Sequence, residues 1–302
     1  MSLYLKYRPR SLERVKGNEQ IIKTLNGLLD KESPPHVFLL HGPTGCGKTT
    51  IARIIAKRLG CVGSDYKEVD TADFRGIDSV REIRKNSMFK PMEGNVRVWV
   101  LDEIHKMTGD AQNALLKILE DTPSHVFFIL CTTQPEKLLS TIKGRCSKLQ
   151  VKSLTEVQMS SLLKRVVKRE GQELEENIYD QIIQNAEGHP RDALQVLEQV
   201  LSVDPEGRLE VAKKTEEQIN QSIELCRALI KGAQWKEVRT ILGGLQGQEA
   251  ESIRRVVLGY CQAVLLKTDK PICGLILEEF IEPFYNSGFP QLVYACYSII
   301  KN

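Results

Sequence analysis

No C-x-x-C pair occurs among the eight cysteines of this 302-residue chain, which are scattered at positions 46, 61, 131, 146, 226, 261, 273 and 296. Neither a zinc ribbon nor a thioredoxin-like centre is expected, and the thiols read as small buried apolar groups in a reducing compartment. The longest apolar-leaning run, 256–266, falls well short of the roughly 18 residues that a membrane span needs, and the N-terminus carries no basic-then-apolar signal pattern. A cytoplasmic location is expected. Internal repeats and low-complexity tracts are absent as well. What remains is the composition of a folded globular chain, 41% hydrophobic and 27% charged, long enough for about two domains of ~150 residues with room for a small third.

The net charge of +3 conceals an asymmetry. Residues 1–155 hold 25 Lys and Arg against 17 Asp and Glu, whereas residues 156–205 hold 5 against 10. A basic first half suits a polyanionic partner such as nucleic acid, or is a solvated surface; charge alone leaves both open.

Up to about residue 150, short apolar strands alternate with helical segments, the pattern of a parallel sheet covered by helices on both faces. Segments 36–41, 66–70, 96–101, 126–131 and 147–151 read as five strands, and 18–31 and 110–121 as helices with apolar residues at three- and four-residue spacing. After residue 152 the strand signals stop. Thr155-Glu156-Val157-Gln158 is a capping-box pattern that opens a helix to about 170, followed by helices near 174–186 and 191–201. Asp204-Pro205-Glu206-Gly207 reads as a linker to four or five more helices. The expected division is therefore an α/β domain over 1–153, a helical lid over 154–204 and an all-helical domain over 205–302.

Gly42-Pro43-Thr44-Gly45-Cys46-Gly47-Lys48-Thr49 fits G-x-x-x-x-G-K-[ST] between an apolar strand and a helix beginning near Lys48. Such a loop wraps phosphates with backbone N–H groups at a helix N-terminus, with the lysine reaching the outer phosphates and the threonine hydroxyl ligating Mg²⁺; Thr50 follows in the same first turn. Strand 96–101 runs into Asp102-Glu103 at the sheet edge where a ligand should lie, so Asp102 is a candidate for holding Mg²⁺ and Glu103 for polarising the attacking water. At the end of strand 126–131, Thr132-Thr133 offers a hydroxyl to the γ-phosphate or is a plain turn; Thr133 is the preferred candidate. Arg145, in Lys143-Gly144-Arg145-Cys146, is a candidate for stabilising a transferring phosphoryl group, a role that an arginine can fill from another chain.

These motifs, together with Lys6-Tyr7-Arg8-Pro9, Gly17-Asn18-Glu19, Asp102-Glu103-Ile104-His105-Lys106-Met107, Asn113-Ala114-Leu115-Leu116-Lys117 and Gly188-His189-Pro190-Arg191-Asp192-Ala193, occur in an order that resembles AAA+ clamp-loader ATPases. The similarity is greatest to the bacterial DNA polymerase III gamma/tau subunits, extends to replication factor C small subunits, and covers roughly residues 3–200. It implies an AAA+ P-loop NTPase fold, ATP and Mg²⁺ as ligands, and an oligomer, a pentamer in the family, joined through the C-terminal helical collar. Partners would be other clamp-loader subunits, a sliding clamp and primer-template DNA, with the clamp opened on ATP binding and released on hydrolysis. By the same resemblance Tyr7, Arg8 and Val15 would lie by the adenine, Thr133 would be the sensor 1 residue, Arg191 the sensor 2 arginine, and Arg145 an arginine finger acting on a neighbour's ATP.

Three departures stand out. The four-cysteine zinc module of gamma/tau is missing between Cys61 and Tyr66, so no zinc is expected; Gly144-Arg145-Cys146 replaces the family's Ser-Arg-Cys; and the chain ends at Asn302 without the long tail of the tau form. Helix 77–88 groups Arg81, Arg84 and Lys85 on one side, and with Lys106 these are candidates for DNA-backbone contact or a solvated face. Phe74 would be a core residue or, less simply, a clamp contact. A DNA-junction remodeller and a low-turnover scaffold subunit are the alternative functions.

Overall fold

The computed structural model describes residues 2–284 and 287–301, with the side chains of all of these except 213–220. Two compact units divide between Ser202 and Val203. In the first, the elements run α1 (Leu3–Lys6), α2 (Glu19–Leu29), β1 (Val37–His41), α3 (Lys48–Arg58), β2 (Tyr66–Asp70), α4 (Ile77–Ser87), β3 (Arg97–Asp102), α5 (Gly109–Glu120), β4 (Val126–Thr132), α6 (Ser140–Gly144), β5 (Ser147–Gln150), α7 (Glu156–Arg169), α8 (Glu176–Ala186) and α9 (Pro190–Leu201).

All the strand pairings are parallel and the sheet order is β2-β3-β4-β1-β5. Because successive side chains in a strand point to opposite faces, and both faces here are covered, the central strands are apolar throughout. Phe38 and Leu40 of β1, Val98 and Val100 of β3, and Phe127 and Ile129 of β4 pack with Ile21, Leu25, Ile51 and Ile55 of α2 and α3. Val37, Leu39, Trp99, Leu101, Phe128 and Leu130 face the other way, onto Val80 and Ile83 of α4, Leu115 and Ile118 of α5, and Ile142 of α6. Each helix returns the chain from the C-terminal to the N-terminal edge of the sheet, so loops after β1, β3 and β4 gather at one edge.

Helix α7 opens on the expected capping box, with Thr155 and Gln158 each bonding the other's backbone N–H. Pro190 at the first turn of α9 fixes its start. The short α1 packs against α9, Leu3 N–H donating to Glu198 Oε2 and Lys6 Nζ lying 2.7 Å from Glu170 Oε1 at the end of α7.

Among its described residues the second unit holds five helices, α10 (Arg208–Lys231), α11 (Trp235–Gly244), α12 (Ala250–Leu265), α13 (Pro271–Glu279) and α14 (Gly288–Lys301). They enclose Leu225, Leu229, Val238, Val257, Ile276, Phe280 and Leu292 among others. The stretch read as a linker contains a short 3-10 turn, Pro205–Gly207. All the cysteines are free and all but Cys146 are buried. No helix among the described residues is long and apolar enough to cross a membrane.

One expectation needs correcting. Phe74, expected in the core, is 49% exposed, because it sits in the loop between β2 and α4 before the first buried position of that helix, Val80.

Candidate functional site: a phosphate loop, a carboxylate pair and a histidine

Between β1 and α3 the chain makes a loop that only glycine tolerates at several places. Gly42 has φ 150°, and a Cβ there would lie 1.9 Å from the Val151 carbonyl oxygen; Gly45 and Gly47 have φ 71° and 97°. Gly42 N–H donates to Thr132 O, tying the loop to the end of β4. Pro43 and Thr44 form the exposed crest, Cys46 is buried with Sγ 3.6 Å from Ser153 Oγ, and Thr49 and Thr50 are half-buried in the first turn of α3.

Lys48 is buried, and its ammonium donates to Gly42 O at 3.0 Å and Pro43 O at 2.8 Å. Burial pulls its pKa below the ordinary lysine value, partly opposed by the carboxylates of Glu103 and Asp102. Thr49 Oγ1 donates to Asp102 Oδ2 at 2.7 Å, while Asp102 Oδ1 accepts the Glu103 N–H at 3.0 Å. A hydroxyl and a carboxylate side by side are the hard oxygen donors that Mg²⁺ takes, so the pair fits that ion.

Asp102 is the last residue of β3, one position later than the sequence suggests, and Glu103 follows with φ 50°. This left-handed residue turns the chain sharply into the 3-10 turn Ile104–Lys106. Buried Thr71, just past β2, holds the turn by pointing its hydroxyl at Asp102 O (2.9 Å) and Glu103 O (2.7 Å). Glu103 Oε2 lies 3.2 Å from Thr133 Oγ1 and 3.2 Å from His105 Nδ1. Burial, and secondarily the Asp102 charge, raises the Glu103 pKa. His105 goes the other way, down to about 4, through burial and then the Lys106 and Lys137 charges, so its imidazole is neutral at physiological pH. Buried Thr132 contacts His105 Nδ1 at 3.1 Å and caps the Gln134 N–H.

The structure therefore gathers Lys48, Thr49, Asp102, Glu103 and Thr133 at one edge of the sheet. Arg191 joins them from α9: its Cβ is 3.7 Å from where a Cβ on Gly45 would be, and its guanidinium stacks 6.0 Å from the Tyr4 ring centroid. Arg8 lines a hollow of about 330 Å³ with Arg10, Arg53 and Lys57. Its pKa is lowered by burial and then by Arg53. Tyr7 donates its hydroxyl to Glu170, and Val15 packs on the α2/α3 side of the sheet.

Arg145 stands apart. Register places Ser147 opposite Phe38, so Arg145 lies near the N-terminal edge, six residues or about 20 Å along the strand direction from Gly42. Its guanidinium is ion-paired with Glu120 at the end of α5 and donates to Thr141 O. Of the basic candidates on α4, Arg81 pairs with Asp78 while Arg84 and Lys85 are exposed; Lys106 is half-buried beyond β3 at the opposite edge of the sheet from the end of α4. Met88 and Phe89, directly after α4, are 59% and 57% exposed. Neither they nor Thr71 and His105 were singled out as site residues by sequence reasoning. The S-M-F run after a helix was their only local sign.

A sequence profile described as "DNA polymerase III, delta subunit" matches residues 64–155. The gamma/tau subunit of Mycobacterium tuberculosis is 38% identical over 225 residues, covering 67% of this chain and 39% of that protein. The tau subunits of Bacillus subtilis and Escherichia coli are 36% and 32% identical, over 67% and 65% of this chain and 39% and 34% of theirs. Among solved structures, the Holliday junction branch migration motor RuvB of Thermotoga maritima has a TM-score of 0.61 at 24% identity, covering 74% of this chain and 79% of that one. The chain thus spans about two fifths of the mycobacterial and Bacillus relatives' length. It has the AAA+ P-loop fold followed by a helical C-terminal region, and over about two thirds of its length it is a homologue of the DNA polymerase III gamma/tau subunits.

Proposed function

We propose that the chain is an ATP-hydrolysing subunit of a sliding-clamp loader acting in DNA replication in the cytoplasm. The observation that carries this reading is the meeting of Lys48, Thr49, Asp102, Glu103 and Thr133 at one sheet edge while Arg145 sits about 20 Å away at the other. An arginine so placed serves a neighbouring subunit's site, not its own.

In this reading the loop N–H groups and Lys48 take the phosphates, and Lys48 gives up its bonds to Gly42 O and Pro43 O to do so. Arg8 and Val15 border the adenine, with Tyr7 behind them held to Glu170. Thr49 and Asp102 would hold Mg²⁺, which would supply positive charge against the outer phosphates. Glu103, with its pKa raised, orients and polarises the attacking water. Thr133 and Arg191 sense the γ-phosphate within the chain, and a neighbour's Arg145 supplies transition-state charge.

The three helices α7 to α9 act as a lid and the second unit as the oligomerisation collar. Exposed Met88 and Phe89 at the end of α4 offer an apolar plug to the clamp, a better-placed pair than Phe74 alone. Arg81, Arg84, Lys85 and Lys106 meet DNA phosphates without sequence preference.

The test is ATPase activity of the assembled complex with primed DNA, with clamp, with both and with neither. Synergy between DNA and clamp is expected. DNA stimulation indifferent to the clamp would point to a junction remodeller, and negligible turnover throughout to a scaffold.

A further inference from the structure

The segment that joins α4 to β3 is charged on the inside and apolar on the outside. Buried Arg97, the first residue of β3, donates to Asn86 O at 2.6 Å and to Lys90 O at 3.1 Å. Buried Asp65, just before β2, accepts the N–H groups of Met92, Glu93 and Gly94 at 2.9, 2.8 and 3.0 Å. The two side chains also bond each other at 3.1 Å. His125, next to β4, holds Phe89 O with Nε2 at 3.1 Å. Six backbone groups of residues 86–94 are thereby fixed by side chains from outside the segment. Met88, Phe89 and Met92 meanwhile are 59%, 57% and 81% exposed.

Burying an ion pair costs more desolvation than packing apolar groups of the same volume, so a loop that owns large apolar side chains would ordinarily turn those inward. Here three of them stay in water within five residues, which is the mark of a surface that meets a partner. The polar hold keeps them there. A loop without it would fold its apolar side chains onto the domain or sample many shapes, and would lose that freedom on docking. Exposed Arg84, Lys85 and Lys90 flank the three in sequence, so the cleft that suits them is apolar with a border of carboxylates.

We propose that Asp65 and Arg97 are positioning residues for clamp docking: they hold residues 86–94 in the shape in which Met88, Phe89 and Met92 enter an apolar cleft of the clamp. Both are buried, so they act through the loop and not by touching the partner. Met92, the most exposed of the three, is a contact residue alongside Met88 and Phe89. The partner's identity rests on the clamp-loader reading; the hold on the loop does not.

Two measurements test this. In the isolated chain, amide hydrogen exchange followed residue by residue should find Met92, Glu93 and Gly94 about a hundredfold or more slower than in an unstructured peptide. Exchange at the unstructured rate overturns the proposal whatever the chain binds. Binding of the purified clamp to the full chain, alone and in its assembly, is then compared among variants. Arg97→Lys keeps a positive charge beside Asp65 but lacks the planar fork that spans two carbonyls; it is expected to raise the clamp Kd about tenfold with the Kd for ATP within about twofold. His125→Ala releases Phe89 O alone, should raise the clamp Kd about threefold, and carries the comparison should Arg97→Lys not fold. An unchanged clamp Kd in these variants overturns the proposal, and so does a parallel loss of ATP affinity, which a merely structural role would produce. If replacing Met88, Phe89 and Met92 together with serine leaves clamp binding intact, or if the unmodified chain binds no clamp in any assembly, the docking reading fails and the proposal with it, while hydrogen exchange still decides whether the loop is held.

Discussion

Thr49 Oγ1 and Asp102 Oδ2 are 2.7 Å apart, which joins the first turn of α3 to the end of β3 through a charge-assisted hydrogen bond. The bond pre-sets two oxygen donors for a small hard cation, and it also removes part of the cost of bringing a carboxylate to a half-buried position. Asp102→Asn should therefore weaken Mg²⁺-dependent ATP binding and abolish turnover, with little effect on binding measured in EDTA. Titration of a fluorescent ATP analogue with and without Mg²⁺ checks this. Equal affinity loss in both conditions would contradict the assignment.

Arg145 should behave as a residue of the neighbour's site. In the single chain it makes an ion pair with Glu120 that is partly exposed and adds at most about 1 kcal/mol of stability. Arg145→Ala is expected to leave the melting temperature and the nucleotide affinity of the isolated chain nearly unchanged while cutting turnover of the assembly by about a thousandfold. Mixed assemblies of Arg145→Ala and Lys48→Ala subunits should recover partial activity, which a site built within one chain forbids.

A third expectation concerns the loop between α4 and β3. Asp65 is fully buried and accepts the backbone N–H groups of Met92, Glu93 and Gly94, while Arg97 bonds it and the carbonyls of Asn86 and Lys90. Burial alone would raise the Asp65 pKa, but the three N–H groups and the Arg97 guanidinium hold it well below the carboxylate range. Stability from this group is complete above the unfolded-state pKa, near 4, and is lost as pH falls toward the depressed folded value. Asp65→Asn should cost about 3 kcal/mol at neutral pH, since it strands a buried guanidinium, and should flatten the acid limb of the stability curve. Urea denaturation at pH 7 and pH 3 measures both effects.

Met88 and Phe89 should matter to a partner and not to the fold. Replacing both with serine is expected to change unfolding free energy by less than about 0.5 kcal/mol per site, because neither is buried, and to reduce clamp-stimulated ATPase while leaving basal turnover intact. Loss of basal turnover would refute this docking role.

The layered sheet was legible in advance because its signals are local: unbroken apolar strands of Val, Phe, Leu and Ile, glycines at forced positive φ, and a capping box at Thr155. Strand ends moved by one residue at most, and the shift that carried β3 to Asp102 mattered most, since it made Glu103 the turning residue. The parts that escaped are contacts between distant segments. Thr71 reads as an ordinary residue after a strand, and only the β2/β3 register places its hydroxyl under the Asp102 and Glu103 carbonyls. His105 lies in Asp102-Glu103-Ile104-His105, whose spacing does not reveal that a left-handed residue brings the ring back beside Thr132 and Glu103. Phe74 was misjudged because a large apolar side chain in a turn has no neighbours that the sequence can name.

Residues 3–6 pack with α9 and reach the end of α7, so the chain crosses from the three-helix segment to the sheet and later returns. The outward strap is 8–17 and the return strap is 151–155; Asn18 clasps them where they meet, donating to Lys152 O and accepting its N–H. Two crossings fastened at one point leave the three-helix segment fewer positions relative to the sheet than a single covalent link would. Arg8 and Val15 lie on one strap and the Val151 carbonyl that presses on Gly42 begins the other.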